Sequence, residues 1–434
     1  MATTTPERVT ATKRRSSWFS LSTTPGLLRV ESVALIVLAI LSGLLAGFVV
    51  DQNLSDTDQI QSDAEPAIVS ARSIQTTLAE ANAAAASAFL AGGVEDPVQR
   101  QIYLDSLDEA AAEVAATAHL VGDDAEADTA LRSMTASLAR YAGLIESARA
   151  NNRQGFPVGA AYLERAGDVL DQEIYPGTDL VANRAAERYR DTYDRQRGQA
   201  LVLGAIAVAL VLVLVAALLL VQLQLRRRFN RTLNIPLAVA TVAAMVLTLW
   251  LVTALVNQTS RLGTARTEGY ENTRLYLDVR GTGFGAKADE ARFLIARGAG
   301  DAFEDRFQGR SAELNATAPE LAAQAPDDAS RSIATAVAEA WDGYATRHQA
   351  VVAAERSGER ETAVALARTE AAEAFTTFDT ASAEGLELAQ TRFLDQMDAA
   401  GDALRGLRVG SLVTVVLVAA LAAYGLQLRI GEYR

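Results

Sequence analysis

The chain has no cysteine among its 434 residues. This excludes a disulfide scaffold, a zinc-thiolate site, an iron-sulfur cluster, a thiol nucleophile and a cysteine-linked lipid anchor. Histidine is nearly as scarce, with only His119 and His348. No HExxH, GxSxG, GxxxxGKS/T or GxGxxG pattern occurs, so the common metal, hydrolase and nucleotide sites have no foothold. Neither an enzymatic activity nor a cofactor or metal is expected. The most informative absence is local. Four stretches, 33–50, 201–225, 235–256 and 409–428, contain no Asp, Glu, Lys, Arg or His. About 20 apolar residues at ~1.5 Å rise cross the roughly 30 Å hydrocarbon layer as a helix, the one open-ended element that satisfies its own backbone there. A soluble enzyme is thereby excluded. Spans without intramembrane charge also argue against an ion pathway or proton relay. An 18-residue apolar core is long for a cleaved signal peptide, so the first span is read as retained.

The net charge of -13 is unevenly placed. The short segments flanking the spans carry Arg8, Lys13, Arg14, Arg15 and Arg29, then Arg226, Arg227, Arg228 and Arg231, then Arg429 and Arg434, against only Glu7, Glu31 and Glu432. Residues 51–200 carry 12 basic and 25 acidic groups, and residues 257–408 carry 17 and 25. Lys/Arg enrichment marks the cytoplasmic side. The expected topology is therefore a cytoplasmic segment 1–30, a span 31–50, an outer segment 51–200 and a span 201–225. A cytoplasmic loop 226–234, a span 235–256, an outer segment 257–408, a span 409–428 and a tail 429–434 complete it. Both termini are expected in the cytoplasm, at the plasma membrane. Lys13-Arg14-Arg15 beside Trp18-Phe19 reads as an interfacial anchor, and Arg226-Arg227-Arg228 as a contact for anionic lipid headgroups. Nothing points to nucleic acid.

The order span, outer segment, span occurs twice with a period near 204 residues. Phe89-Leu90 corresponds to Phe293-Leu294, Asp123-Asp124-Ala125 to Asp327-Asp328-Ala329, Tyr141 to Tyr344 and Gly155 to Gly358, so a tandem repeat is expected. Leu131, Met134, Leu138, Tyr141 and Ile145 recur at spacings of three and four, and Ala334, Val337, Trp341, Tyr344 and His348 match them. Breaks at 92–93, 122–124, 151–157, 298–301, 326–328 and 357–358 divide each segment into four helices. The fold class expected is an all-α membrane protein with four transmembrane helices and two tandem extracytoplasmic antiparallel four-helix bundles. The copies should pack side by side, with a stalk of four helices near 55–70, 180–197, 260–275 and 388–405. Two lone stalk helices share a single stripe, whereas four enclose a core. Pro176-Gly177 should kink the first copy's last helix.

His348 reads as a structural histidine before a ligand contact or pH-sensitive element. His119 reads as a cation at a helix C-terminus, and the two Asp-Asp pairs as N-caps before cation ligands. The loop residues Asp96, Arg153, Phe156, Asp301, Arg356 and Glu359 are candidate contacts for an outer partner, because loops free of packing duty present charge and an aromatic anchor. Arg226, Arg227, Arg228 and Arg231 are candidates for a cytoplasmic partner.

The layout resembles the four-helix-bundle sensors of bacterial chemoreceptors and histidine kinases, with stalks but no output domain. The nine-residue loop at 226–234 and the six-residue tail are too short for one. Tandem bundles, four spans, cytoplasmic termini and an Arg-to-Lys ratio of 38 to 2 together resemble the GlnX-like actinobacterial four-pass membrane signalling proteins over essentially the whole chain. The resemblance implies a non-enzymatic receptor subunit. An amino-acid-binding lipoprotein of the GlnH type would dock outside, and the soluble serine/threonine protein kinase G would be controlled inside. An envelope scaffold and a direct small-ligand sensor are the alternatives.

Overall fold

The computed structural model describes residues 24–59, 65–91, 96–155, 157–229 and 234–431. They fall into helices: α1 Thr24–Gln59, α2 Glu65–Leu90, α3 Pro97–Leu120, α4 Ala125–Arg153, α5 Val158–Val169, α6 Tyr175–Phe229, α7 Ile235–Thr264, α8 Glu271–Ile295, α9 Asp301–Gln324, α10 Asp328–Arg356, α11 Arg360–Arg368 and α12 Glu370–Gly431. Two π-helical segments, Leu170–Ile174 and Ala265–Tyr270, lie between α5 and α6 and between α7 and α8. The described residues contain no strand, as the all-α expectation requires. The chain divides into two compact units, one of residues 1–53, 199–256 and 403–434, the other of 54–198 and 257–402.

The first unit holds four helices long and apolar enough to cross a membrane. Leu44, Leu220, Ile235, Leu249 and Val409 are each about two-thirds exposed. Surface of that kind is stable against lipid rather than water. Small residues set the packing. A Cβ on Gly43 would lie 2.7 Å from Val415, which joins α1 to α12, and Gly410 accommodates the Trp250 ring between α12 and α7. Gly204 faces Leu255 between α6 and α7, and Gln224 donates to Glu31 between α6 and α1 (2.9 Å). The four spans thus close a ring. Gly47, the second member of the expected small-residue pair, meets nothing.

In the second unit short connections enforce antiparallel neighbours, α2 with α3, α4 with α5, α8 with α9 and α9 with α10. The starts of α4 and α10 are capped by aspartate. Asp124 accepts from the backbone N–H of Glu126 and Ala127, and Asp327 from that of Ser330, so both Asp-Asp pairs act as N-caps. Gly155 and Gly358 take positive φ just beyond α4 and α10, where a side chain would be strained. The residues of both expected seams are buried, including Met134, Tyr141, Trp341 and Tyr344.

The four-helix stalk core is present. Ala67 and Ile68 of α2, Val181, Ala182 and Ala185 of α6, Ala265, and Phe393 and Met397 of α12 belong to one buried cluster. Helical structure continues through Pro176, with a π segment immediately before it. A single-residue break at Thr369 separates α11 from α12 (φ -115°, ψ -89°).

Candidate functional site

α2 and α8 pack closely together where the helices of residues 65–198, one four-helix group, meet those of residues 265–402, the other. Their composition explains how they approach. Ala79, Ala81, Ala83, Ala84 and Ala86 line α2, and Gly281, Gly283, Gly285, Ala286 and Ala288 line α8. Short side chains let the backbones come close enough for Thr76 Oγ1 to donate to the Leu277 carbonyl oxygen at 3.0 Å. Residues 283–294 of α8 are buried on every face. That stretch nevertheless includes Lys287, Asp289, Glu290 and Arg292, and a buried charge is tolerated only with partners.

All four have them. The Asp289 carboxylate, 1 % exposed, pairs with Arg306 (3.1 Å) and Arg310 (3.0 Å) of α9, and Gly285 leaves the space that the Arg310 guanidinium fills. Arg292 reaches out of its own group, donating to Asn82 of α2 (2.9 Å) and lying over Gly167 of α5. Lys287 Nζ donates to Glu290 Oε1 (2.7 Å). Glu290 Oε2 lies 3.0 Å from His348 Nδ1, and Glu304 Oε2 lies 2.8 Å from His348 Nε2. The imidazole, fully buried, stacks on Phe307 with centroids 3.4 Å apart. Burial alone would push the His348 pKa down, but the hydrogen bonds and negative charges of the two carboxylates outweigh it and hold it above the ordinary imidazole value. Burial likewise opposes the charge on Glu290 and Glu304. For Glu290 the Lys287 ammonium and His348 together keep the pKa below the usual range, and for Glu304 the His348 hydrogen bond does so.

Lys287 and Glu290 also form one wall of a cavity of about 180 Å³ between the two groups. Glu80 of α2 faces it, as do Phe375 and Asp379 of α12 and the exposed Arg368 of α11. Asp379 pairs with Arg280 (2.8 Å). Burial, with the nearby charges of Asp379 and Glu109, raises the Glu80 pKa to about 7, only partly offset by Arg280.

The anticipated loop residues within the described chain each lie at a helix terminus of this unit. Asp96 caps α3 through the Val98 N–H and also lines the cavity. Arg153 is exposed at the end of α4. Asp301 and Arg356 are brought together at 3.6 Å, and exposed Glu359 accepts the Ala363 N–H through its carbonyl at the start of α11. Arg226 and Arg227 are exposed near the end of α6, which also contains Arg228. Phe156 and Arg231 lie outside the described residues. Exposed His119 occupies the last turn of α3, and His348 is structural, as read from the sequence. The buried charges of α8 are not among the residues that the sequence pattern points to. A signal existed: in a chain with 38 arginines and two lysines, Lys287 stands three residues before a glutamate inside a glycine-alanine run.

These features define a multi-pass, all-α membrane protein. Residues 56–194 match the family model of the actinobacterial sensor domain, which covers the first of the two segments between spans and supports an actinobacterial sensor protein with a signalling role. No curated protein matches the chain.

Proposed function

We propose that the chain is a non-enzymatic transmembrane receptor subunit. In this reading an extracytoplasmic amino-acid-binding lipoprotein of the GlnH type reports ligand state to the bundles, and a soluble Ser/Thr protein kinase, kinase G, responds in the cytoplasm. What supports it, beside the sensor-domain match, is helix continuity. α6 and α12 each include residues of a span and of a bundle, and α7 passes into α8 through a π segment with no break. A continuous helix passes a small axial shift or rotation along its length, and packed bundles switch between discrete arrangements. Such a device needs no catalytic centre of its own.

The docking surface proposed for the outer partner is the loop end bearing Asp96, Arg153, Asp301, Arg356 and Glu359, with Phe156. The proposed cytoplasmic surface is the loop with Arg226, Arg227, Arg228 and Arg231, completed by the N-terminal segment, since about 20 residues a side are usual for a stable contact. The test is copurification from membranes. The receptor should bring down a binding protein and a kinase, and charge reversal at the five loop positions should remove the binding protein with membrane expression and topology unchanged. Recovery of envelope machinery in place of both would identify a scaffold.

A further inference from the structure

We propose that the cavity between α2 and α8 is a binding site for a small organic ammonium ion, with Glu80 as its counter-ion. The inference deepens the sensor reading and rests on it only in treating the ligand as a signal. Size comes first. At about 180 Å³ the cavity exceeds the ~150 Å³ sufficient for benzene in an apolar protein interior. Its walls alternate apolar surface, Ala83, Ile102, Ala291 and Phe375, with charge.

Charge then selects the ligand. Four carboxylates line the space, Glu80, Asp96, Glu290 and Asp379, against two cations, Lys287 and Arg368. Most are already engaged. Glu290 holds Lys287 and His348, Asp379 holds Arg280, and Asp96 caps α3. Lys287 Nζ has Glu290 at 2.7 Å and the Ala367 carbonyl at 3.4 Å, and sits over the Tyr344 and Phe375 rings. Glu80 and Asp96 are the carboxylates on this wall with no ion pair among the described residues, and of the two Asp96 already accepts the Val98 N–H. An anion entering here would meet the surplus of carboxylates, and a neutral molecule would leave Glu80 uncompensated. An ammonium group beside Glu80 gives this half-buried carboxylate a direct ionic partner, which Arg280 supplies only at a distance.

Location gives the site a consequence. Its walls come from α2 and α3 on one side and from α8, α11 and α12 on the other. A bound cation therefore touches both four-helix groups and favours whichever arrangement closes around it.

The test uses the full chain in detergent and three probes of one shape: benzylammonium, benzyl alcohol and benzoate. Calorimetry at about pH 8 should rank benzylammonium roughly tenfold or more above benzyl alcohol, with benzoate weakest. Because Glu80 ionises near pH 7, benzylammonium affinity should fall about tenfold from about pH 8 to about pH 6, while benzyl alcohol stays level. Glu80→Gln should abolish the preference for the cation and retain benzyl alcohol binding. Ala372→Phe, which fills the space from a partly exposed position, should remove all three. No saturable binding of any probe, equal affinity for cation and alcohol, or a cation preference that survives Glu80→Gln would each overturn the site. Binding that follows this pattern without altering signal output leaves the site standing and removes only the claim that its ligand is a signal.

Discussion

At the scale of single residues the decisive feature is the charge lattice inside α8, and its centre is testable at His348. Replacement by leucine leaves Glu290 and Glu304 facing each other across a buried gap without their shared cation. Breaking a buried pair from one side costs about 3–5 kcal/mol, so the His348→Leu protein should melt well below the parent in the same detergent. The pH dependence has a definite sign. His348 is raised in the folded state, so its contribution is fully present below about pH 6.5 and is lost as pH rises through the folded value. Glu290 and Glu304 are lowered, so theirs is present above about pH 4.5 and is lost on acidification. Glu80 and Glu113, both raised to about 7, also make stability fall as pH rises from about 4.5 to 7, but they add no slope beyond that. The melting temperature of the parent minus that of His348→Gln, followed above pH 7, isolates the histidine. A difference that does not shrink with rising pH contradicts a charged imidazole. Sequence reasoning reached the structural role of His348 because its seam position implied burial. It did not reach the two carboxylates, which stand on α8 and α9, 58 and 44 residues away. No periodicity records a partner at that distance.

Among elements, those with one apolar face were the most legible. α4 and α10 carry a stripe at helical spacing and bury the residues that the stripe names. α8 has no stripe to read, because its burial on all sides is achieved with glycine, alanine and paired charge rather than with large apolar residues. The same limit applies to the π segments. No residue type specifies them, and nothing in the sequence around Pro176 marks the Leu170–Ile174 segment that precedes it. The other, Ala265–Tyr270, makes a strong prediction. A Cβ on Gly269 would lie 2.7 Å from the Phe393 Cα and 3.0 Å from its backbone nitrogen. Backbone cannot swing aside as a side chain can, so Gly269→Leu has to separate this segment from α12. Overpacking of this kind costs about 1–3 kcal/mol or more. The expected outcome is a lower melting temperature with normal membrane insertion, whereas Gly263→Leu, whose Cβ meets nothing, should be neutral. Equal behaviour of the two variants would refute the close approach of the helices.

For the whole molecule, charge asymmetry and four uncharged stretches made the membrane class legible, since hydrocarbon admits so few alternatives. The four-helix stalk core was also accessible, because its argument needed only the number of apolar stripes. The α2 to α8 contact was harder. Both faces are built of alanine and glycine, whose small side chains permit approach without naming a partner. That contact can be tested directly, because the chain has no cysteine of its own and an introduced pair has no competitor. A Cβ on Gly281 would lie 3.4 Å from Thr76 Oγ1 and 3.8 Å from the Thr76 Cα. A sulfur in place of the Thr76 Oγ1 would stand next to the Cβ introduced at position 281, so the Thr76→Cys, Gly281→Cys protein should form a disulfide under oxidation. The two residues are 205 positions apart and belong to different four-helix groups, so the location of the bond is informative. If one chain supplies both sides of the contact, the oxidised protein runs as a monomer of altered mobility on a denaturing gel, at any protein concentration. If α2 instead meets α8 of a second chain, the product is a covalent dimer, and the arrangement of a sensor completed within a single polypeptide fails.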